Sequence, residues 1–326
     1  MYKIKLMSLF SGIGAFEKSL YNNKIDFKLV GYSEINKYAS KSYSLIHRVS
    51  EKLNLGDITK IDIDKLPDFN LMTWGFPCQD ISIEGKGAGM VEGTRSNLYH
   101  EGMKILKVKR PTISIIENVK NLTGKKFKIQ FEQILHDLID LGYKNYWKVL
   151  NAKHYGIPQN RERVFIISVL DGREFEFNEP VELTLKLKDM LESEVDEKYY
   201  LNDNNLIWWN KNKLIVHEAT KKGYSVAVEG DSINIQFPNS KTRRGRIGHE
   251  VAQTIETSCN QVTLIPGYKI RKLTPREYWR LMGFNDKDID ICIENGISNT
   301  QLYKQAGNSI VVNVLDTIFK NLYKRT

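Results

Sequence analysis

From the N-terminus to Leu170 the chain switches repeatedly between two periods, and no other feature restricts its fold as strongly. "KIKLMSLF", "FKLVGYSEI", "FNLMTWGF", "TISIIENV" and "RVFIISVL" are short apolar runs of strand length. Between them lie helical patterns such as "GAFEKSLYNN", "NKYASKSYSLIH" and "QFEQILHDLIDLG". Strands alternating with helices predict an α/β fold, a doubly wound and mostly parallel sheet with helices on both faces. Ligands in such sheets bind beyond the carboxyl ends of the strands.

With 326 residues, 41% hydrophobic and 27% charged, the chain can build one large domain plus a smaller one. No apolar run approaches the roughly 20 residues of a membrane span. The N-terminal apolar run is broken too early by glycine to read as a secretory signal, so no membrane partner and a cytoplasmic location are expected. Cys78, Cys259 and Cys292 are too widely spaced for a disulfide framework or a zinc site, and no metal is expected. The formal net charge of +9 favours a polyanionic partner.

Near Val181 the texture changes to a charged stretch, followed by short strands, turns and loops that read as a smaller, irregular β-rich domain. The expected division is 1–186 for catalysis and cofactor, 187–270 for a second domain, 271–301 for a joining hinge and helix, and 302–326 for a C-terminal helix returning to the first domain. In "LTPREYWRLMGF", Thr274 can be an N-cap, with Pro275 in the first turn and Glu277 completing a capping box.

Four chemical signals sit at predicted strand ends. "LFSGIGAF" is a glycine-rich strand-to-helix bend, and Gly12 and Gly14 let a ligand approach the backbone. A tight turn without a ligand would look the same, and the third glycine of the dinucleotide fingerprint is missing. Glu34 ends the second strand, where such folds bond ribose hydroxyls. In "GDIT", Asp57 can accept from an exocyclic amine and Ile58 can pack on a flat ring. Jointly these favour an adenosine-containing cofactor.

Cys78 follows Pro77 in "GFPCQDIS" and precedes a glycine-rich segment from Gly85 to Gly93 that suits a closing loop. A lone cysteine is most often a small buried hydrophobe, and packing, redox, metal-binding and nucleophilic roles all stay open on its context alone. Glu117 in "ENV" ends a buried strand, an expensive place for a carboxyl group without a partner or a task. Arg163 closes "QNRER". A thiol, a protonatable carboxyl and an arginine form a set that can activate a pyrimidine. Thiolate addition at carbon 6, an acid at nitrogen 3 and a cation on the carbonyl oxygen would make carbon 5 nucleophilic.

"LFSGIGAF", "GDI", "GFPCQDIS", "ENV", "QNRER", "LTPREYWRLMGF" and "QAGNSI" together resemble, in order and spacing, the bacterial C5-cytosine DNA methyltransferases. The resemblance covers residues 4–185 and 268–326. It implies a sheet of the S-adenosylmethionine methyltransferase type and methyl transfer from S-adenosylmethionine to cytosine C5 in double-stranded DNA. It also implies base flipping, action as a monomer, and a restriction-modification or orphan phage context in which a cognate endonuclease acts separately. By the same resemblance Cys78 is the nucleophile, Glu117 engages nitrogen 3 and Arg163 the carbonyl oxygen. Phe10, Gly12, Gly14, Glu34, Ile35, Asp57, Ile58 and Asn308 bind the cofactor, while Arg161 and Gln159 are structural or support the residues that touch the base. This chain departs from the family in having Ser8 where an acid is usual and Ala15 where glycine is common. It also has Ile35 where an aromatic platform is common.

The uncovered middle would then be the target-recognition domain. "NSKTRRGRIGH" carries Lys241, Arg243, Arg244 and Arg246 with no acidic residue before Glu250. Arginines there can position phosphates or read guanine. Thr254 and Ser82 resemble family residues that face DNA. Three rival readings remain: a tRNA cytosine-5 methyltransferase of the same family, a non-catalytic DNA-binding protein, and a nicotinamide oxidoreductase. The first would have little use for the arginine-rich loop, and the other two leave the Cys78 set idle.

Overall fold

The computed structural model describes residues 4–77, 97–201, 207–210, 213–237, 240–267 and 269–323. The chain forms two compact units, one of Met1–Leu150, Glu162–Glu179 and Val314–Thr326, the other of Asn151–Arg161 and Pro180–Asn313.

In the first unit the apolar runs are strands and the 3.6-period patterns are helices. In chain order these are β1 (Ile4–Leu9), α1 (Ala15–Asn22), β2 (Phe27–Ser33), α2 (Lys37–His47), β3 (Leu71–Trp74), α3 (Asn97–Lys109), β4 (Ile113–Val119), α4 (Lys128–Asp140) and β5 (Lys144–Asn151). The short β6 (Gln159–Asn160) lies in the second unit, and β7 (Glu162–Val169) returns to the first. The sheet order is β2-β1-β3-β4-β7-β5. The β1–β2, β1–β3 and β3–β4 pairs are parallel, while β4 and β7 run antiparallel, so the sheet is mixed and mostly parallel among the registers described.

All four residues of β3 and the first four of β4 are buried, the signature of strands covered on both faces. Trp74 is fully buried, stacks on Tyr99 at 5.9 Å and donates its indole N–H to Ser114 Oγ at 3.0 Å. Gly102 of α3 lies against the same ring, where any Cβ would overlap it, so the glycine lets the helix seat on the sheet. Truncating such an aromatic costs about 3–5 kcal/mol. The last helix, α8 (Val312–Leu322), docks on α1 through Phe319 and Phe16, ring centroids 6.4 Å apart.

The second unit is β-rich. It contains an antiparallel sheet of β8 (Ile207–Asn210), β9 (Lys213–His217) and β10 (Tyr224–Ala227). A second sheet joins β11 (Ser232–Asn234), β12 (Ile247–Gly248), β14 (Gln261–Ile265) and β15 (Lys269–Lys272), and the two-residue β13 (Ala252–Gln253) pairs with β6. Its small apolar core includes Leu214, Val216, Ile233, Val262 and Leu264. The helices α5 (Pro275–Leu281), α6 (Asp286–Glu294) and α7 (Asn299–Asn308) complete it.

The predicted capping box is present: Thr274 Oγ1 accepts from Glu277 N at 3.2 Å, and Glu277 Oε2 accepts from Thr274 N at 2.7 Å. The same carboxylate takes a two-pronged bond from buried Arg271, at 2.6 and 2.9 Å. Among the described residues no helix is long and apolar enough to cross a membrane.

Candidate active site

The strand register places the catalytic candidates. In the β4–β7 ladder Glu117 faces Phe165 and Val119 faces Arg163, so Glu117 and Arg163 are diagonal neighbours on one face. Arg163 Nε lies 3.2 Å from Glu117 Oε1, with the two side chains only 19% and 13% exposed. Arg163 also donates through Nη1 to the Glu162 carbonyl at 2.8 Å, which holds the guanidinium at the strand end.

β3 runs beside β4 and ends at Trp74, opposite Ile116. The chain then passes through Gly75, Phe76 and Pro77 toward Cys78. A Cβ at Gly75 would sit 3.2 Å from Glu117 Oε2, so glycine leaves room for the carboxyl group beside the turn. Asn118 Nδ2 donates to the Phe76 carbonyl at 3.3 Å, tying the "ENV" strand to the segment that follows β3. Cys78 and Ser82 lie outside the described residues.

The cofactor candidates of the first unit also converge. Phe10, Gly12 and Gly14 all have positive φ (53°, 56° and 81°), a conformation that glycine adopts without strain at two of the three positions. No atom lies within 4 Å of a Cβ built on Gly12. Glu34 accepts from Gly12 N through Oε2 at 2.9 Å and from Asn36 N through Oε1 at 2.7 Å. Asp57 caps a short turn by accepting from Thr59 N–H and Oγ1–H, and these bonds hold its carboxyl below the usual range. Ile58 is buried in the sheet core, whereas Ile35 is 76% exposed and presents apolar surface at this corner. An open backbone cradle, two carboxylates and an exposed aliphatic face fit an adenosine-bearing cofactor.

Asn54 carried no signal in the sequence yet organises this corner. Its Oδ1 accepts from Glu34 N at 3.0 Å and Gly56 N at 2.9 Å, and its Nδ2 donates to the Glu34 carbonyl at 2.9 Å. His47 carries no signal in the sequence either, and "ENV" marks Asn118 without its role: each works through a backbone carbonyl of a segment distant in the chain.

In the second unit, Gln159 and Arg161 are buried structural residues. Arg161 donates to the carbonyls of Ile255, Gly307 and Ser309 at 2.8–3.0 Å, and Gln159 donates to the Leu281 carbonyl at 2.8 Å. Asn308 is exposed at the end of α7. Thr254 donates through Oγ1 to the Asn160 carbonyl at 2.7 Å.

The four basic candidates differ sharply in setting. Lys241 and Arg244 are exposed, and Arg244 donates through Nε to the Ala219 carbonyl at 2.7 Å. The Arg243 guanidinium lies 5.8 Å from the Phe237 ring centroid. Arg246, expected to face DNA, is instead 1% exposed. Its guanidinium binds the carbonyls of Asn234, Gln236 and Phe237 at 2.8–3.3 Å. A charged group this deep is held by its own loop, because no solvent competes for its donors.

Among the described residues no group of His, Cys, Asp and Glu could hold a metal ion. The sheet, the glycine loop after β1 and the carboxyl–arginine pair of the β4–β7 ladder define an α/β protein with its candidate polar groups gathered at strand ends. The profile of the C-5 cytosine-specific DNA methylase family matches residues 4–324. The chain is 37% identical to the type II methyltransferase M2.ScrFI of Lactococcus lactis subsp. cremoris, across 98% of this chain and 99% of that one. It is 33% identical to the orphan methyltransferase M.SPRI of Bacillus phage SPR, across 99% and 98%. Among solved structures, the Entamoeba histolytica methyltransferase EhMeth has a TM-score of 0.71 at 20% identity, covering 99% of this chain and 98% of its own. A putative DNA modification methyltransferase encoded within an E. coli prophage has a TM-score of 0.66 at 18% identity, covering 98% and 99%. The chain belongs to the C-5 cytosine-specific DNA methylase family, and it is a DNA (cytosine-5)-methyltransferase.

Proposed function

We propose that the first unit performs the chemistry with Cys78, Glu117 and Arg163 and that the second reads double-stranded DNA. The observation that carries this reading is the Glu117–Arg163 pair beside the Gly75–Pro77 turn that leads to Cys78. A cytosine flipped from the duplex, at a cost of a few kcal/mol, meets these groups together. The Cys78 thiolate forms a carbon–sulfur bond at C6, and the displaced electron pair moves toward N3 and C5. Glu117 holds a proton at N3, and Arg163 neutralises charge on the C2 carbonyl oxygen.

Phe10, Gly12, Gly14, Glu34, Ile35 and Asp57 would hold S-adenosylmethionine, with Ile58 supporting the corner from the core; Asn308 is assigned to the cofactor by the family resemblance alone. When bound, this cofactor supplies an electrophilic methyl group. Once C5 carries the methyl group, its proton leaves to solvent and the carbon–sulfur bond breaks, which returns the thiolate of Cys78.

Lys241, Arg243, Arg244 and Thr254 are the DNA-facing set, to which the family resemblance adds Ser82. Arg246 supports this set by bracing the loop from inside. We read the protein as a monomer of the cytoplasm, with any cognate endonuclease acting separately.

The test is bisulfite sequencing of DNA from a methylation-free host that expresses the protein. Protected cytosines in one short recurring context are expected. Complete conversion, from folded protein that binds S-adenosylhomocysteine, would overturn the DNA reading and redirect the search to tRNA.

A further inference from the structure

The loop between β1 and α1 is gripped by both ends of the next helix. At the entry to α2, Glu34 Oε2 accepts from Gly12 N at 2.9 Å. At its last residue, His47 Nε2 lies 3.0 Å from the Ile13 carbonyl oxygen. Two ties therefore hold adjacent residues of one loop, one through an N–H and one through a C=O. We propose that His47 is a positioning residue that fixes the Gly12–Gly14 cradle for the adenosyl cofactor. This rests on the cofactor assignment above.

Three observations support the role. A carbonyl only accepts, so Nε2 carries the hydrogen and Nδ1 is bare. Nδ1 is buried with no hydrogen-bond partner, and the ring is only 6% exposed, so burial lowers its pKa to about 4 and keeps it neutral. The imidazole is itself fixed by Tyr43, at a centroid distance of 4.7 Å, and Tyr43 stacks on Tyr32 at 4.0 Å. Finally, the ring is packed directly on Gly14: any Cβ there would fall on His47 Nε2. Gly14 thus answers two demands, a φ of 81° and the approach of the imidazole.

Glu34 alone cannot be a constant anchor. Ribose hydroxyls compete with Gly12 N–H for the same carboxylate oxygens. His47 is the tie that does not compete with the ligand, and it preserves the loop while Glu34 changes partners. A pre-organised loop lowers the ordering cost of binding.

The test uses the full chain with His47→Phe and His47→Gln, titrated calorimetrically with S-adenosylhomocysteine in the absence of DNA. Phe keeps a ring and loses the donor; Gln keeps an N–H at similar reach. His47→Phe should weaken binding about tenfold, the scale of one lost hydrogen bond in a buried site, and His47→Gln should recover most of it. DNA affinity by gel shift should be unchanged in both. Unaltered S-adenosylhomocysteine affinity in folded His47→Phe would overturn the proposal. So would a parallel loss of DNA affinity that Gln does not rescue, since that marks a general structural defect. If His47→Phe fails to fold, nitrogen-15 shifts of the wild-type histidines decide instead. His47 should show the Nε2–H tautomer from about pH 5 to pH 8, and protonation in that window or an Nδ1–H tautomer would overturn the proposal. A wild-type protein that does not bind S-adenosylhomocysteine would refute the cofactor assignment itself.

Discussion

Glu117 Oε1 and Arg163 Nε stand 3.2 Å apart across the antiparallel β4–β7 ladder, 46 positions apart in sequence (163 − 117 = 46). One ion pair thus holds the proposed acid and the proposed oxygen contact in fixed relation. Glu117→Gln keeps the shape but loses the exchangeable proton. It should lower kcat by about 10²–10⁴-fold with little change in S-adenosylhomocysteine affinity. Tritium transfer from labelled S-adenosylmethionine measures the first quantity and calorimetry the second; wild-type kcat in this variant would remove Glu117 from the mechanism.

Cys78→Ala should abolish methyl transfer while cofactor affinity stays near that of the wild type, because Cys78 is not among the residues proposed to hold the cofactor. The direct check is a denaturing gel with duplex DNA containing 5-fluorocytosine, in which fluorine replaces the C5 hydrogen and cannot leave as a cation, so the carbon–sulfur bond is not released. Wild type should form a covalent adduct in the presence of S-adenosylmethionine, and the variant none. An adduct formed by Cys78→Ala would place the nucleophile elsewhere.

Arg244 and Arg246 are two residues apart yet should fail differently. Arg246→Ala leaves three backbone carbonyls without their donor inside the loop, and thermal unfolding should show a loss of about 1–3 kcal/mol. Arg244→Ala is at an exposed position and should leave stability within about 0.5 kcal/mol of wild type while weakening DNA binding. Gel shifts at several salt concentrations separate a phosphate contact from a base contact, since the former flattens the salt dependence. Identical stability loss in both variants would contradict the division of roles.

The Arg271–Glu277 pair is 2% and 0% exposed and closes the capping box of α5. Removing one partner should cost about 3–5 kcal/mol by stranding a buried charge, whereas Arg271→Met with Glu277→Leu should cost less than either single truncation. Urea unfolding of the three variants measures this. A double variant that is the least stable of the three would show the pair to be net stabilising.

Stability should depend on pH through His47. Its folded pKa, about 4, is below the ordinary 6.5, so the unfolded chain takes up a proton that the folded chain refuses. The contribution is therefore complete above pH 6.5 and is lost as pH falls toward 4, by about 3 kcal/mol in all. His47→Gln should flatten that part of the stability profile. The neighbouring Glu17 has the opposite sign. Burial raises its carboxyl pKa, so its contribution is present at low pH and fades as pH rises through that value, and Glu17→Gln should stabilise the protein at pH 8.

The sequence alone determined the sheet and its loops, because short apolar runs and helical stripes are local, and the strands they make carry the candidate residues at their ends. "SGIG", Glu34, "GFPC", "ENV" and "QNRER" could be assigned chemistry in this way, since glycine, carboxyl, thiol and guanidinium each do few things at a strand end. Only the tertiary structure decided how those groups are held. Glu117 meets Arg163 through an antiparallel register that no local pattern encodes. Asn54, Asn118 and His47 act on backbone carbonyls and N–H groups of distant segments, which leave no mark in residue type. Arg246 reads like its neighbours in the sequence, yet it is buried and braces the loop that displays them, because burial depends on what folds over a residue and charge patterning does not.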